Sequence, residues 1–277
     1  MTTRNEALGH LVRAALLQLE RDWEALTGAQ RHVLRALTAS RRRRARTGAI
    51  PPAVRDALAA FTTATARFST DAGALVERWA AIDLPQAYRI GAEDALGSAV
   101  LAAGTARPTF GWSTPHQNVL ATLTAAFYPV LVHRVADTVR RAQGFGRAAA
   151  STARASTAAP AAALAAEHPL DTVTYSHGAR HPATAWARTA LTAQAATAAN
   201  AGALTATTAD LEARWVQVVD GPECGWTSHP ELDRAHDTLR SAEEAGTYPI
   251  AHPGCLRRFI PRPDLTHDST IEEGQPV

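Results

Sequence analysis

The side chains best able to do chemistry gather in one stretch near the end of the chain, 224–264, which reads CGWTSHPELDRAHDTLRSAEEAGTYPIAHPGCLRRFIPRPD. Both cysteines of the protein lie in it, each with a histidine a few positions away: Cys224 with His229, and Cys255 with His252. Two thiolates and two imidazoles form a ligand set that suits tetrahedral Zn²⁺. The spacings are Cys-x4-His and His-x2-Cys, and the long insert between the pairs suits a loop clamped at its base. His236 is a spare candidate. A bound ion would supply folding free energy to a segment with little apolar content. Four protein ligands fill zinc's coordination and leave no position for water, so the expected role is structural and not hydrolytic. The alternatives for the two cysteines are burial as small residues or a mutual disulfide.

A second group is the run Arg41, Arg42, Arg43, Arg44 and Arg46. Guanidiniums fork onto phosphates, so DNA contact is one expectation and a solvated tip the other. No aromatic lies among these arginines to stack on bases. Arg257 and Arg258 form a basic pair that would suit an acidic partner surface. Other chemistry is missing from the sequence pattern. Glu93 and Asp94 are adjacent and point to different faces of a helix, which makes a poor acid–base pair. No GxSxG, Walker loop or HExxH is present. The GFGRAA at Gly144 follows a helical stretch and not a strand, so it is not read as a dinucleotide fingerprint.

These groups must be positioned by a mainly helical scaffold. Apolar residues step by four and three through Val12, Leu16, Leu19, Trp23, Leu26, Val33 and Leu37, with Gln30 breaking the seam. Val54, Leu58, Phe61, Thr65, Phe68, Ala72, Leu75 and Trp79 repeat the rhythm. Two such stripes hide each other in an antiparallel hairpin. Its tip carries the Arg run, Gly48 and the Pro51–Pro52 pair, and the latter suits a helix start. Pro85 is expected to end the second helix. A third helix is expected over 86–103, a linker over 104–115, and a fourth helix over 116–143 that Pro129 kinks or splits. The fourth presents Leu120, Leu123, Phe127, Leu131, Val135 and Val139. A low-complexity Ala/Ser/Thr run follows over 151–167. A short strand over 172–175, a helix over 182–203 and a strand over 214–219 lead into the Cys/His stretch. The fold class is therefore mainly α: an N-terminal helical hairpin (1–106), an α+β domain with a small sheet and the irregular Cys/His segment (116–263), and a C-terminal tail (264–277).

Bulk properties agree with a globular chain: 46% hydrophobic and 19% charged residues. All 28 basic residues are Arg, and the net charge is only +2, too weak by itself to mark a nucleic-acid binder. Neither a signal-peptide core nor an apolar run of about 18 residues is evident, so no membrane partner is expected and the chain reads as a soluble cytoplasmic product.

The RWVQV strand leading to Cys224, the HPGC at 252–255 and the FIPRPD at 259–264 resemble the phage Mu-F-like minor capsid and head morphogenesis family. VTYSHGARHP at 173–182, Arg188, Thr189 and the Asn200–Ala201–Gly202 close are similar as well, so the likeness covers about 117–263 in patches. Many members of that family carry a CxxC first and a second Cys two residues after the HPxC one. Here Cys224 stands alone and Arg257 takes the last position, which excludes a four-thiolate site. The resemblance implies a structural, non-enzymatic protein of a tailed phage. It would work inside the head near the portal, with portal and other capsid proteins as partners and packaged DNA as a further one. Host cytoplasm would be its location during assembly. The rival readings are a metal-dependent hydrolase or nuclease using the Cys/His cluster, and a zinc-bearing DNA-binding regulator.

Overall fold

The computed structural model describes residues 3–41, 49–155, 161–175, 178–228, 230, 232–265 and 271–277. The elements in chain order are α1 (Arg4–Arg41), α2 (Pro52–Arg78), α3 (Leu84–Ser98), α4 (Thr114–Arg154), α5 (Ala161–Glu167), β1 (Thr172–Thr174), β2 (Arg180–Pro182), α6 (Ala183–Thr205), β3 (Trp215–Val219), β4 (Leu239–Ser241), α7 (Ala242–Thr247) and β5 (Arg258–Pro261). The chain is mainly helical with small antiparallel sheets in its C-terminal part, the expected class. Its two compact units are each discontinuous in sequence, and so do not follow consecutive blocks. One comprises Met1–Ala14, Arg78–Phe127 and Arg188–Val277; the other comprises Ala15–Glu77 and Tyr128–Ala187.

The second unit contains the helical hairpin. Leu16, Leu19, Trp23, Leu26, Val33 and Leu37 of α1 are buried, as are Val54, Phe61, Phe68, Ala72 and Leu75 of α2. Trp23 and Phe68 meet with ring centroids 5.4 Å apart. Gln30, the position that breaks the apolar seam, has a reason to be there: its Nε2 donates to the His168 carbonyl at 2.7 Å, just past the end of α5. Such a bond satisfies one of the carbonyls a helix end leaves open. Within this unit, α4 buries Leu131, Thr138, Ala142, Phe145, Ala149 and Ala153, and Phe145 stands edge-on to Phe61 at 5.0 Å. The expected α4 stripe is thus displaced. Val135 and Val139 are only half-buried, because small alanines let helices approach more closely than valines do. Arg141 of α4 donates to the carbonyls of Pro169 and Thr172 at 2.7 and 2.8 Å and so holds the β1–β2 ribbon. Arg134 lies over the rings of Tyr175 and Trp186, 5.5 Å from each centroid.

The helix boundary falls next to Pro85, as expected, and Pro129 does not split the fourth helix. Between α2 and α3 lies a π-helical segment, Trp79–Asp83, in which the Leu84 N–H bonds to the Trp79 carbonyl. The shift to wider hydrogen bonding opens a new first turn for Pro85, where a missing N–H costs little. α4 runs through Pro129 without being split. It is also more apolar than a search for consecutive apolar residues suggests. An 18-residue window reaches a mean hydropathy of 1.5 with only 6% of it buried, which is long and apolar enough to cross a membrane by length and composition alone. Alanine and threonine, interleaved with Val, Leu and Phe, hide that property from a residue-by-residue reading.

The first unit is built on close contact between α3 and α6 and on a sheet of order β4-β3-β5. β3 is central and antiparallel to both neighbours, with Val219 opposite Arg258 and Trp215 opposite Ser241. Val216 and Val218 point into a core with Leu204, Trp226, Ala235, Ala242, Ala245 and Phe259. The end of the chain is not a free tail. Leu239 donates to the Gln275 carbonyl and Val277 to that of Asp237, so residues 273–277 line the open edge of β4, where unpaired backbone groups invite a partner.

α3 and α6 touch backbone to backbone. A Cβ at Gly91 would collide with the Ala199 carbonyl, and one at Gly202 with the Tyr88 carbonyl. Neither obstruction is a flexible side chain, so the helices themselves must separate. Gly202→Ala is expected to destabilise this unit by about 3 kcal/mol, the upper part of the overpacking range, despite alanine's better helix propensity. Urea denaturation followed by circular dichroism measures it, and a neutral or stabilising outcome would contradict the close contact.

Candidate metal centre

The pairing of β3 with β5 brings the two cysteine segments together. β3 ends at Val219 and turns through Asp220–Gly221–Pro222, with the Cys224 N–H bonding to the Gly221 carbonyl at 2.9 Å. β5 begins at Arg258, and the preceding turn closes through the Cys255 N–H to the His252 carbonyl at 3.0 Å. Gly254 in that turn has φ +88°, a conformation that explains the glycine of HPGC. Because Val219 faces Arg258, whatever follows β3 must lie beside whatever precedes β5.

Cys224, His252 and Cys255 converge there, with Sγ, ring nitrogen and Sγ all within 4.8 Å of one another. Cys224 Sγ lies 3.4 Å from His252 Nε2. The other ring nitrogen, Nδ1, faces the Pro253 carbonyl at 3.2 Å. A ligating histidine characteristically uses one nitrogen on the metal and anchors the other in this way. Both cysteines are buried and unpaired by disulfide. This Cys-His-Cys group has the donor chemistry and spacing to hold a metal ion.

Of the residues expected from the sequence, three are brought together and the fourth, His229, lies outside the described residues. The spare candidate is engaged elsewhere. His236 Nδ1 accepts from the Asp220 N–H at 3.1 Å, and its Nε2 sits 3.3 Å from Asp237. Arg42, Arg43, Arg44 and Arg46 lie outside the described residues, and Arg41 forms the last residue of α1.

The surroundings hold what the sequence did not reveal. Asp220 is fully buried, with Oδ1 and Oδ2 at 3.4 and 3.6 Å from Cys255 Sγ, which donates to the carboxylate. Arg257 is equally buried and cannot meet a partner surface. Its Nε donates to Asp220 Oδ2 at 2.8 Å, and its Nη atoms donate to the carbonyls of Trp226, Tyr248 and Gly225 at 2.7–2.9 Å. The guanidinium lies over the Trp226 ring at 4.6 Å. The Arg257 carbonyl in turn accepts from Asn200 Nδ2 and from Arg4 Nη1, while Arg4 Nη2 reaches Asn200 Oδ1 at 2.6 Å. Burial lowers the Arg4 pKa to about 10. Its neighbour Arg258 pairs with Asp94 at 3.4 Å. A patterned search for ligand types passes over Arg257 because it looks like half of a solvated basic pair. The available signal was its place two residues after Cys255, where the resembled family often puts a cysteine.

A second buried constellation also escaped sequence reasoning, since its members are far apart in the chain. Tyr88 Oη lies 2.9 Å from His116 Nδ1, and His116 Nε2 lies 3.0 Å from Asp210 Oδ2. Trp112 stacks on Tyr88 with centroids 5.8 Å apart. Burial pushes the Tyr88 pKa up to about 12, so the phenol stays neutral. Tyr88 and His116 are wholly buried and present no atom to a substrate, so the relay ties α3, α4 and the segment after α6 together.

Comparison of this chain with protein families, curated proteins and solved structures gives no match.

Two outcomes follow. Arg257→Ala leaves the Asp220 carboxylate buried and unpaired, which is expected to cost about 3–5 kcal/mol of stability by urea denaturation. An R257M/D220N double variant should recover only part of this, because the carbonyls of Gly225, Trp226 and Tyr248 still lose their donor. Desolvation, followed by the Asp220 carboxylate, pushes the metal-free Cys224 thiol up to about 11 from its ordinary 9.0. A raised folded-state value means that the metal-free protein keeps this contribution below about pH 9 and loses it as pH rises toward 11. Chelator-treated protein should therefore melt at lower temperature through that window, and Cys224→Ser should flatten the trend.

Proposed function

We propose that this chain is a structural, non-catalytic protein of a tailed-phage particle, and that a zinc ion held by Cys224, His252 and Cys255 clamps its C-terminal segment. The observation that carries the clamp is the convergence of these three groups on two turns locked by the β3–β5 pair. The particle role is supported by the resemblance of RWVQV, HPGC and FIPRPD to the Mu-F-like head morphogenesis family. Two residues of that likeness have packing roles that fit a scaffold: Asn200 carries the buried hydrogen bonds to Arg4 and Arg257, and Gly202 allows the contact with α3.

In this reading the protein acts in the head interior near the portal, and in host cytoplasm during assembly. Portal and other capsid proteins are its partners, and the arginines at 41–46 reach packaged DNA. Zinc supplies the folding free energy that the Gly- and Pro-rich segment lacks. Cys224 and Cys255 bind as thiolates after releasing their protons, and His252 binds as neutral imidazole through Nε2. A second reading, a metal-dependent hydrolase or nuclease, would require the ion to keep an open fourth position, the pattern of catalytic zinc.

Metal analysis of the purified full chain separates these. One zinc per chain, no hydrolytic turnover and co-purification with the portal protein of the same particle support the structural reading. A turnover activity abolished by Cys224→Ala would sink it. Zinc present at about 1,000 times its dissociation constant stabilises by about 4 kcal/mol, so chelation should lower the melting temperature by roughly 10 °C.

A further inference from the structure

We infer that Asp220 is the fourth protein ligand of this centre, through Oδ1, giving a closed Cys₂-His-Asp set that binds one divalent zinc ion. The inference rests on the zinc reading above and settles what completes it.

Position comes first. Asp220 is the residue that follows β3, and its buried carboxylate is 3.4 Å from Cys255 Sγ, at the margin of the Cys224–His252–Cys255 group whose ligating atoms lie within 4.8 Å of one another. Each of its two oxygens accepts one N–H. Oδ2 accepts from Arg257 Nε at 2.8 Å, and Oδ1 accepts from the Gly221 N–H at 2.8 Å. A carboxylate oxygen has two lone-pair directions, and the second one on Oδ1 is the one directed toward Cys255. Arg257 and the Gly221 N–H therefore orient the carboxylate, with Oδ1 the nearer oxygen to Cys255 Sγ at 3.4 Å against 3.6 Å for Oδ2. This is the outer support a ligating carboxylate usually receives.

Charge points the same way. Without metal, the Cys255 thiol donates to Asp220 at 3.4 Å. When zinc binds, Cys224 and Cys255 each release a proton to solvent and form a Zn–S bond. The hydrogen bond to Asp220 is then gone, and a thiolate would face a buried carboxylate at 3.4 Å. Between two buried side chains that contact is repulsive unless a cation lies between the groups. Two thiolates and one carboxylate against Arg257 leave two negative charges, which a single divalent ion neutralises. Zinc accepts sulfur, imidazole and carboxylate oxygen in one tetrahedral set.

The test uses the full chain loaded with zinc or cobalt. X-ray absorption at the zinc edge should show two sulfurs and a single imidazole, counted from its multiple scattering. His229→Ala should bind one zinc with affinity within about twofold of the wild type. Azide should leave the cobalt spectrum of the wild type unchanged, because no water is available for displacement. Asp220→Asn, checked for native circular dichroism, should weaken zinc at least tenfold and make the cobalt spectrum azide-sensitive. Two imidazoles per zinc, or loss of zinc on His229→Ala, would assign the fourth position to His229 and overturn the inference. An azide shift in the wild type would assign it to water and overturn it equally. Both results leave the zinc reading standing, whereas a wild type that binds no zinc removes both.

Discussion

The buried ion pair between Arg257 and Asp220 is the interaction on which the C-terminal part of this protein depends. Neither side chain has any exposed surface, and burying two charges costs several kcal/mol each before any attraction is counted. What offsets that cost is saturation. Arg257 donates four hydrogen bonds, three of them to the carbonyls of Gly225, Trp226 and Tyr248, and lies on the face of Trp226. One side chain thus supplies the donors that an irregular, Gly- and Pro-rich loop cannot find within itself. Its backbone carbonyl does the converse, accepting from Arg4 and Asn200. Stretches near residues 4, 200, 225, 248 and 257 are tied at one residue.

The Cys224–His252–Cys255 group is a consequence of the same arrangement. Asp220 follows β3 and Arg257 precedes β5, so the ion pair and the antiparallel register fix one another. The turns carrying Cys224 and the His252–Cys255 pair follow β3 and precede β5, so the register sets them side by side and their ligating atoms lie within 4.8 Å of one another.

The hairpin and the sheet show how far pattern alone carries. Heptad-like spacing located α1 and α2, and the alternation in RWVQVV located β3, because burial of one face acts directly on residue periodicity. The proline signals were partly realised: Pro85 lies in the first turn of α3, just after the π-helical segment that follows α2, whereas Pro129 lies inside α4 and does not split it. In the expected α4 stripe the misjudged factor was residue size. Burial falls on Ala142, Ala149 and Ala153, whose value lies in allowing close approach, a property no hydrophobicity pattern records.

By itself the sequence determined the helical class, the sites of α1, α2 and β3, and the presence of two Cys/His pairs with ligand chemistry. These are local properties, set by period, propensity and side-chain type. Tertiary structure alone decided that Cys224, His252 and Cys255 meet and that His236 is committed to the Asp220 backbone. It also decided that Arg257 is a buried anchor and not a surface charge. Each of those depends on which strand edge pairs with which and in what register. That choice is made by the whole buried core and leaves no trace in the spacing of the residues concerned.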